Sequence, residues 1–291
     1  MDDSQEKNKA KTGLVLEGGA MRGLFSAGVT DVLLENGIDF DGIIGVSAGA
    51  AFGCNIKSKQ QGRTFRYNLK YCRDSRYCSV RSLLKTGNLY NAEFCYHTLP
   101  CDLDRFDFRT YKSNPQEFFV VATDIKTGNP VYKKIPEMDF DGLEWLRASA
   151  SMPLVSTPVS IDGQLLLDGG ISDSIPLKWF EDAGFSRNIV ILTQPRDYQK
   201  KPSPALPLMS LFLRKYPALV HAMKVRHEMY NGETAYVFER EKSGQTLVIC
   251  PEKPLGISRT EKDSGELRRV YEIGRNLCKE KLGDIKEFLR G

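Results

Sequence analysis

The sequence predicts a three-layer α/β/α fold, in which a mainly parallel central sheet lies between two layers of helices. Three features near the start of the chain predict it. Residues 13–16 form a short apolar run that ends in glycines, residues 23–35 carry apolar side chains at helical spacing, and residues 38–45 form a second apolar run. A second helix is expected over 48–56. This β-α-β-α order with short connections is typical of a parallel sheet.

The remaining elements divide the chain into two parts. Later strands are expected at 117–123, 163–167, 188–193 and 245–250, and later helices at 142–150, 208–230 and 264–289. The Pro- and Lys-rich stretch 194–207, QPRDYQKKPSPALP, is typical of an exposed loop or linker. We therefore expect a core over 1–193 and a C-terminal accessory segment over 194–291. We expect that segment to pack on the core as a helical cap, because about 95 residues with one clear strand make a thin independent core.

The composition fits an ordinary globular enzyme. The chain has 291 residues, of which 41% are hydrophobic and 27% charged, with a net charge of +4. Seven cysteines contain no CxxC pair, and no EF-hand loop is present, so we expect neither a metal nor another cofactor. The polar start lacks a secretory signal, and no apolar run reaches the ~18–20 residues of a membrane span. We expect a cytoplasmic protein with reduced thiols that at most contacts a membrane surface.

A basic segment stands out within this balanced composition. Residues 57–88 carry nine Lys or Arg and one acid, Asp74, with aromatic residues interleaved. Such a segment favours either a solvated helix face or contact with an anionic membrane surface. A nucleic-acid partner would depend on this segment alone, and we do not expect one.

Ser47 is the candidate nucleophile. It lies in IIGVSAGA at 43–50, where Gly45 and Gly49 flank it in a G-x-S-x-G pattern between a predicted strand and a predicted helix. A strand that turns straight into a helix strains the turn residue and holds its hydroxyl at the helix N-terminus, whose amides stabilise developing negative charge. The alternative is a serine that only caps the helix.

Asp168 is the candidate base. It ends the predicted strand QLLLD and precedes Gly169 and Gly170, so its carboxylate is expected at the carboxyl edge of the sheet, where ligands bind in open α/β sheets. An ordinary Asp-Gly turn is the alternative. His221 and His227 would complete a Ser-Asp-His triad in the right chain order, but the basic stretch HAMKVRHEMY predicts surface helix positions for both.

A glycine cluster between the first strand and the first helix is the candidate oxyanion site. Its residues are Gly18, Gly19, Ala20, Met21, Arg22 and Gly23. It is neither G-x-G-x-x-G nor a Walker loop, since Ala20 replaces the second glycine and no lysine follows. With Ser47 one strand away, its N–H groups are better suited to the oxyanion of acyl transfer, and Arg22 could add charge or hold the loop.

Taken together, these motifs resemble the patatin-like lipid acyl hydrolases, and they resemble the bacterial branch of that family rather than the plant storage proteins. GGAMRG at 18–23, GVSAGA at 45–50 and DGG at 168–170 occur in that family's order, and the resemblance covers roughly 13–193. It implies a dyad of Ser47 and Asp168. Gly18, Gly19, Ala20 and Arg22 would form the oxyanion loop, and Gly23, Gly45, Gly49, Gly169 and Gly170 would be motif glycines. Glu17 departs from the aspartate that many members carry before the glycines.

The function that this resemblance implies is a serine hydrolase of lipid acyl esters. It would act as a phospholipase A or lysophospholipase, a carboxylic ester hydrolase of EC 3.1.1 type, through an acyl-enzyme. Two alternatives remain. One is a Ser-Asp-His carboxylesterase acting on small soluble esters, and the other is a non-catalytic protein that binds a phosphate or acyl ligand. The sequence does not indicate the oligomeric state.

Overall fold

The computed structural model describes residues 10–290 and confirms the predicted layered α/β fold. One mixed sheet of eight strands has the order β5-β6-β3-β2-β1-β7-β8, and β4 pairs with β3. The strands are β1 (Thr12–Leu16), β2 (Gly42–Val46), β3 (Glu117–Asp124), β4 (Pro130–Lys134), β5 (Val159–Ile161), β6 (Gln164–Asp168), β7 (Arg187–Ile191) and β8 (Thr246–Ile249). Pairing is parallel from β8 through β7, β1 and β2 to β3, and antiparallel where β3 meets β4 and β6 and where β5 meets β6.

Helices cover both faces of the sheet. They are α1 (Gly23–Glu35), α2 (Ala48–Lys57), α3 (Arg63–Tyr71), α4 (Val80–Thr86), α5 (Phe108–Ser113), α6 (Phe140–Ser149), α7 (Leu177–Asp182), α8 (Leu206–Phe212), α9 (Pro217–Lys242), α10 (Ser264–Glu280) and α11 (Leu282–Arg290). A π-helix spans Phe94–Leu103, and short 3₁₀ turns span Ala20–Arg22 and Gly169–Ile171. In the described residues, no helix is long and apolar enough to cross a membrane.

The central strands are buried on both faces, which explains their unbroken apolar runs. Leu14 and Leu16 of β1 pack into a core with residues of α1, α2, α6 and α10. Val15 points to the opposite face, into a second core with residues of α7 and α9. Successive side chains of a strand point to opposite faces, so one apolar strand supplies both cores.

The C-terminal part of the chain contributes to both the sheet and the helix layers. β8 extends the sheet beside β7, and α10 packs closely along α1. At that contact a Cβ on Gly274 would lie 2.0 Å from the Phe25 carbonyl oxygen, and one on Gly28 would lie 2.1 Å from the Tyr271 carbonyl oxygen. Only glycine allows two helix backbones to approach this closely.

Two helices expected from the sequence are each divided in the structure. The helix expected over 208–230 is two helices, α8 and α9, and Pro217 begins the second. The helix expected over 264–289 is likewise two helices, α10 and α11, and the first ends at Glu280. The strand before Asp168, β6, runs antiparallel to β3, so the mainly parallel sheet is mixed at this edge. Register still brings the two site strands together. Val46 of β2 pairs with Val121, so Ser47 follows at the level of Ala122, and Ala122 pairs with Asp168.

Candidate functional site

Ser47 occupies a strained turn between β2 and α2. Its backbone has φ 54° and ψ −121°, a conformation that residues other than glycine rarely adopt. Gly49 makes the turn possible, because a Cβ there would lie 2.3 Å from the Leu16 carbonyl oxygen. The five motif glycines are all buried: Gly23, Gly45, Gly49, Gly169 and Gly170.

Ser149 at the end of α6 holds this turn from behind, and sequence reasoning did not identify it. Its hydroxyl accepts a hydrogen bond from the Ser47 N–H at 2.8 Å and donates one to the Val121 carbonyl at 2.6 Å. The side chain is fully buried. One hydroxyl therefore links the strained turn to the neighbouring strand β3.

The Ser47 hydroxyl donates a hydrogen bond to Asp168 Oδ2 at 2.7 Å. The other carboxylate oxygen, Oδ1, accepts from the Gly170 N–H at 2.8 Å. Asp168 is only 6% exposed, and this burial raises the pKa of its carboxyl above the ordinary value, against the opposing effect of its bond to Ser47. The pair has the geometry that a nucleophile and a general base require.

The three histidines lie elsewhere. His97 hydrogen-bonds with Glu144 at 3.1 Å, and a ring nitrogen of His227 is 3.1 Å from the Lys224 carbonyl. His221 is exposed on α9. In the described part of the chain none of them hydrogen-bonds to Ser47 or Asp168, so the geometry favours a dyad over a triad.

The glycine cluster packs directly against the Ser47 turn. A Cβ on Gly18 would lie 3.0 Å from the Ser47 Cβ, and Ala20 has a positive φ of 48°. Within residues 10–290 the N–H groups of Gly18 and Gly19 have no hydrogen-bond acceptor. Arg22 Nε lies 3.4 Å from the Thr193 hydroxyl that it can donate to. The loop thus carries free donors next to the serine.

Glu17 anchors this loop. One of its carboxylate oxygens accepts from the Thr193 N–H at 2.6 Å, and the other accepts from the Tyr230 hydroxyl at 2.9 Å. Glu17 is buried, and Tyr230 lies on α9. The residue that departs from the family pattern therefore connects the glycine loop to the C-terminal segment.

Two further α9 residues hold the chain just after Asp168. Arg226 donates to the Gly170 carbonyl, and Glu233 accepts from the N–H groups of Ser174 and Ile175 at 3.1–3.2 Å. Sequence reasoning missed both. Their signal was the spacing of residues 226, 230 and 233, which places them on one face of a helix.

An apolar cavity of about 120 Å³ opens beside Ser47. Its lining is mainly aliphatic and aromatic, with Met21, Phe52, Tyr96, Leu99 and Leu146 among its residues, and it also contains the buried Arg63. Apolar cavities of this size bind nonpolar groups rather than water. In the residues that the structure covers, no group of three or more His, Cys, Asp or Glu could hold a metal.

Five of the nine cations in the basic segment 57–88 are ion-paired or buried. Lys57 is buried, Lys59 pairs with Asp39, Arg63 and Arg66 pair with Asp104, and Arg76 pairs with Asp74. The other four cations are exposed: Lys70, Arg73, Arg81 and Lys85. Two of them, Arg81 and Lys85, lie on α4 beside the exposed apolar side chains Val80, at 67% exposure, and Leu84, at 83%. Within this segment α4 combines exposed cations with exposed apolar side chains.

Comparison with known proteins identifies the family. Residues 14–180, more than half of the chain, match the family model "Patatin-like phospholipase", and residues 216–290 match "Domain of unknown function (DUF6363)". The uncharacterised protein YjjU of Escherichia coli is 28% identical over 277 residues, which are 91% of this chain and 75% of that protein. Lysophospholipase NTE1 of Cryptococcus neoformans is 28% identical over 200 residues, 64% of this chain but only 12% of that protein. Among solved structures, VipD of Legionella pneumophila aligns with 94% of this chain and 67% of its own at 14% identity and a TM-score of 0.47.

Proposed function

Because this chain belongs to the patatin-like phospholipase family, we propose that it hydrolyses acyl esters of lipids, with Ser47 as nucleophile and Asp168 as base. The observation that carries the proposal is the 2.7 Å hydrogen bond from the Ser47 hydroxyl to a buried carboxylate, at a strained turn that faces an apolar cavity. A protein that only bound phosphate would have no need of that carboxylate.

The reaction proceeds by acyl transfer through the serine. Ser47 Oγ attacks the ester carbonyl carbon while Asp168 takes the hydroxyl proton, and the oxyanion accepts hydrogen bonds from the N–H groups of Gly18, Gly19 and Ala20 near Arg22. The bond to the alcohol then breaks, Asp168 returns the proton to the leaving oxygen, and an acyl-enzyme remains. Water attacks it, gives its proton to Asp168, and releases the fatty acid as the proton returns to Ser47.

A carboxylate is a weak base for a serine hydroxyl, since the reference pKa of aspartate is about 3.9. Burial of Asp168 raises its pKa and so reduces the difference between the pKa of the base and that of the serine hydroxyl. The free loop donors reduce it further, because they stabilise the charge that forms as the proton moves. Removal of one such donor typically costs on the order of 10²–10³ in rate.

The preferred substrates are monoacyl lipids, which corresponds to the lysophospholipase side of EC 3.1.1. The cavity beside Ser47 has a mainly apolar lining that suits an acyl chain. The fungal relatives are named lysophospholipases, which agrees with this choice.

In this proposal the hydrolase core spans 1–193 and the accessory segment 194–291, of which the structure describes 10–193 and 194–290. The β7–β8 pairing and the close contact of α1 with α10 support the packing of the second segment on the first. The second segment also bonds to the chain around the dyad through Arg226 and Glu233.

Contact with an anionic membrane surface would use α4. Val80 and Leu84 present apolar area beside the cationic Arg81 and Lys85, a combination suited to the bilayer interface. Co-sedimentation with vesicles tests this: Leu84→Glu should weaken binding to anionic vesicles, whereas Arg76→Gln, at an ion-paired position, should not. Equal binding of the wild type to neutral and anionic vesicles would contradict it.

Fatty-acid release from lysophosphatidylcholine tests the proposed activity. We expect Ser47→Ala and Asp168→Asn to lose on the order of 10³ or more in kcat with the fold intact. His221→Ala and His227→Ala serve as controls and should keep wild-type rates. Near-wild-type turnover by Asp168→Asn would refute the dyad, and loss of activity in a histidine variant would favour the triad.

A further inference from the structure

Four cationic side chains, which we call the cation cluster, lie around the dyad: Arg22, Lys200, Arg226 and Arg259. Arg226 and Arg259 act electrostatically on Asp168, and Lys200 is within electrostatic range of the other three cations. They come from four separate segments, namely the glycine loop, the loop after β7, helix α9 and the loop after β8. Only the first belongs to a motif that the sequence analysis singled out. The other three lie in the C-terminal part of the chain, outside the hydrolase motifs.

Contacts with the residues around the dyad hold the side chains of Arg226 and Lys200. Arg226 donates through Nε to the Gly170 carbonyl, and a Cβ on Gly170 would lie 3.2 Å from Arg226 Nη2 and 3.1 Å from Asp168 Oδ1. Lys200 Nζ lies 4.1 Å from the centre of the Tyr230 ring. The Arg259 carbonyl accepts from the Tyr90 hydroxyl at 2.9 Å, and its side chain is exposed.

The cation cluster has no direct ion-pair partner in the described residues. Among residues 10–290, none of the four forms an ion pair within 4.0 Å, although arginines elsewhere on the surface commonly do. Three acids of the described chain lie in the same region without pairing to a cation, and their oxygens accept from neutral donors instead: Glu17 from Thr193 and Tyr230, Asp168 from Ser47 and Gly170, and Glu233 from Ser174 and Ile175.

This arrangement is unfavourable in the absence of an anion. Like charges in a partly buried site repel one another with little screening. Burial, together with Arg226, lowers the pKa of Lys200 to about 8, and burial also lowers the pKa of Arg226. Cations that a fold holds together without an ion-pair partner are typical of a ligand site, where the ligand supplies the opposite charge.

The cluster and the apolar cavity are separate features around the dyad. Ser47 lines the cavity, but none of the four cations does. An amphiphilic ester with its carbonyl at Ser47 would place its acyl chain in the cavity and its alcohol part outside it. The alcohol part of a phosphate-bearing lipid is anionic, and the paired N–H donors of arginine suit phosphate oxygens.

We propose that the cation cluster is a subsite for the phosphate group on the alcohol part of the substrate. This inference rests on the proposed ester hydrolysis, and it assigns to the C-terminal segment a role in head-group selection. Substrates with a phosphate are then preferred over neutral esters of the same acyl chain. The preference weakens as ionic strength rises, since salt screens the attraction.

Two substrates that share one acyl chain test the proposal: lysophosphatidic acid and the matching monoacylglycerol, compared in one neutral detergent. We expect the ratio of their kcat/KM values to fall about tenfold in Lys200→Gln or Arg259→Gln, and further in the double variant, as for loss of a charged contact. Lys201→Gln, an adjacent exposed lysine, should leave the ratio unchanged. An unchanged ratio in the double variant would overturn the proposal.

A binding measurement separates failure of this inference from failure of the proposed hydrolysis. Calorimetric titration of Ser47→Ala with sn-glycerol 3-phosphate needs no turnover, and Lys200→Gln with Arg259→Gln should weaken that binding about tenfold or more. No detectable binding by Ser47→Ala would contradict the subsite even if esters are hydrolysed. Weakened binding with an unchanged substrate ratio would show that the cluster holds free phosphate, which also overturns the head-group assignment.

Discussion

Ser149→Ala should weaken both the fold and the catalytic turn, because one buried hydroxyl bridges the strained Ser47 backbone and strand β3. The substitution removes the bond from the Ser47 N–H at 2.8 Å and the bond to the Val121 carbonyl at 2.6 Å. It leaves a buried donor and a buried acceptor without a partner, in a space that opens when one oxygen is lost.

The magnitude follows from those two groups. Each unsatisfied buried group costs about 1–3 kcal/mol, so the pair costs roughly 2–6 kcal/mol. A water that enters the vacated space can hydrogen-bond to the two groups and recover part of this cost. We therefore expect the free energy of unfolding to fall by about 2–4 kcal/mol. The relaxed turn should also lower kcat by about tenfold, equivalent to ~1.4 kcal/mol of transition-state stabilisation, with KM little changed.

Denaturant unfolding followed by circular dichroism measures the first quantity, and ester hydrolysis the second. Ser26→Ala is the matched control, since Ser26 is equally buried at 2% exposure but its hydroxyl has no hydrogen-bond partner in the described chain. That substitution should be neutral or stabilising. If Ser149→Ala and Ser26→Ala behaved alike in both assays, the bridging role of Ser149 would be refuted.

Three other predictions follow from contacts already described. Gly274→Ala should destabilise the protein by about 1–3 kcal/mol, because its Cβ would meet the Phe25 carbonyl oxygen at 2.0 Å. Burial and the neighbouring Asp173 raise the pKa of Glu233. The stability that protonated Glu233 provides is therefore complete at low pH and is lost as the pH rises through the raised pKa. Glu233→Gln should reduce this loss of stability with rising pH. The kcat/KM profile should rise with pH through an apparent pKa above that of free aspartate, because Asp168 accepts a proton only when ionised.

Each of these has its own check. Gly232→Ala makes the same change in the middle of α9, where a Cβ meets nothing within 4 Å, and should stabilise by up to about 1 kcal/mol. Unfolding curves from pH 4 to 9 compare the wild type with Glu233→Gln. If the free energy of unfolding of the two proteins depended on pH in the same way, Glu233 would not be the group whose protonation stabilises the fold. A kcat/KM profile that falls on the acid side with an apparent pKa at or below 4 would count against a buried base.

The parts of the site that the sequence predicted are local. The Ser47 turn and the glycine loop each lie within about six consecutive residues, and both occur where an apolar strand meets a helix. The residues of each motif are close together in the sequence, so both motifs could be found without tertiary information. Asp168 was found the same way, at the end of an apolar strand, but the antiparallel direction of that strand relative to β3 was not predicted.

The parts that the sequence did not predict depend on contacts between distant segments. Tyr230 bonds to Glu17 from 213 residues away, and Ser149 reaches Ser47 across 102 residues. Arg226 and Glu233 lie in a helix rich in charged residues, which predicts solvent exposure unless the partners are known. The π-helix over Phe94–Leu103 contains Pro100 and has no periodic signal that would have revealed it.

Covalent labelling by a fluorophosphonate, measured by intact mass, tests the central claim most directly, because it needs no knowledge of the substrate. The account predicts one adduct on the wild type, none on Ser47→Ala, and much slower labelling of Asp168→Asn, since an activated serine attacks the phosphorus and its base takes the proton. A folded wild-type protein that forms no adduct, or an adduct that persists in Ser47→Ala, would contradict the assignment of Ser47 as the nucleophile.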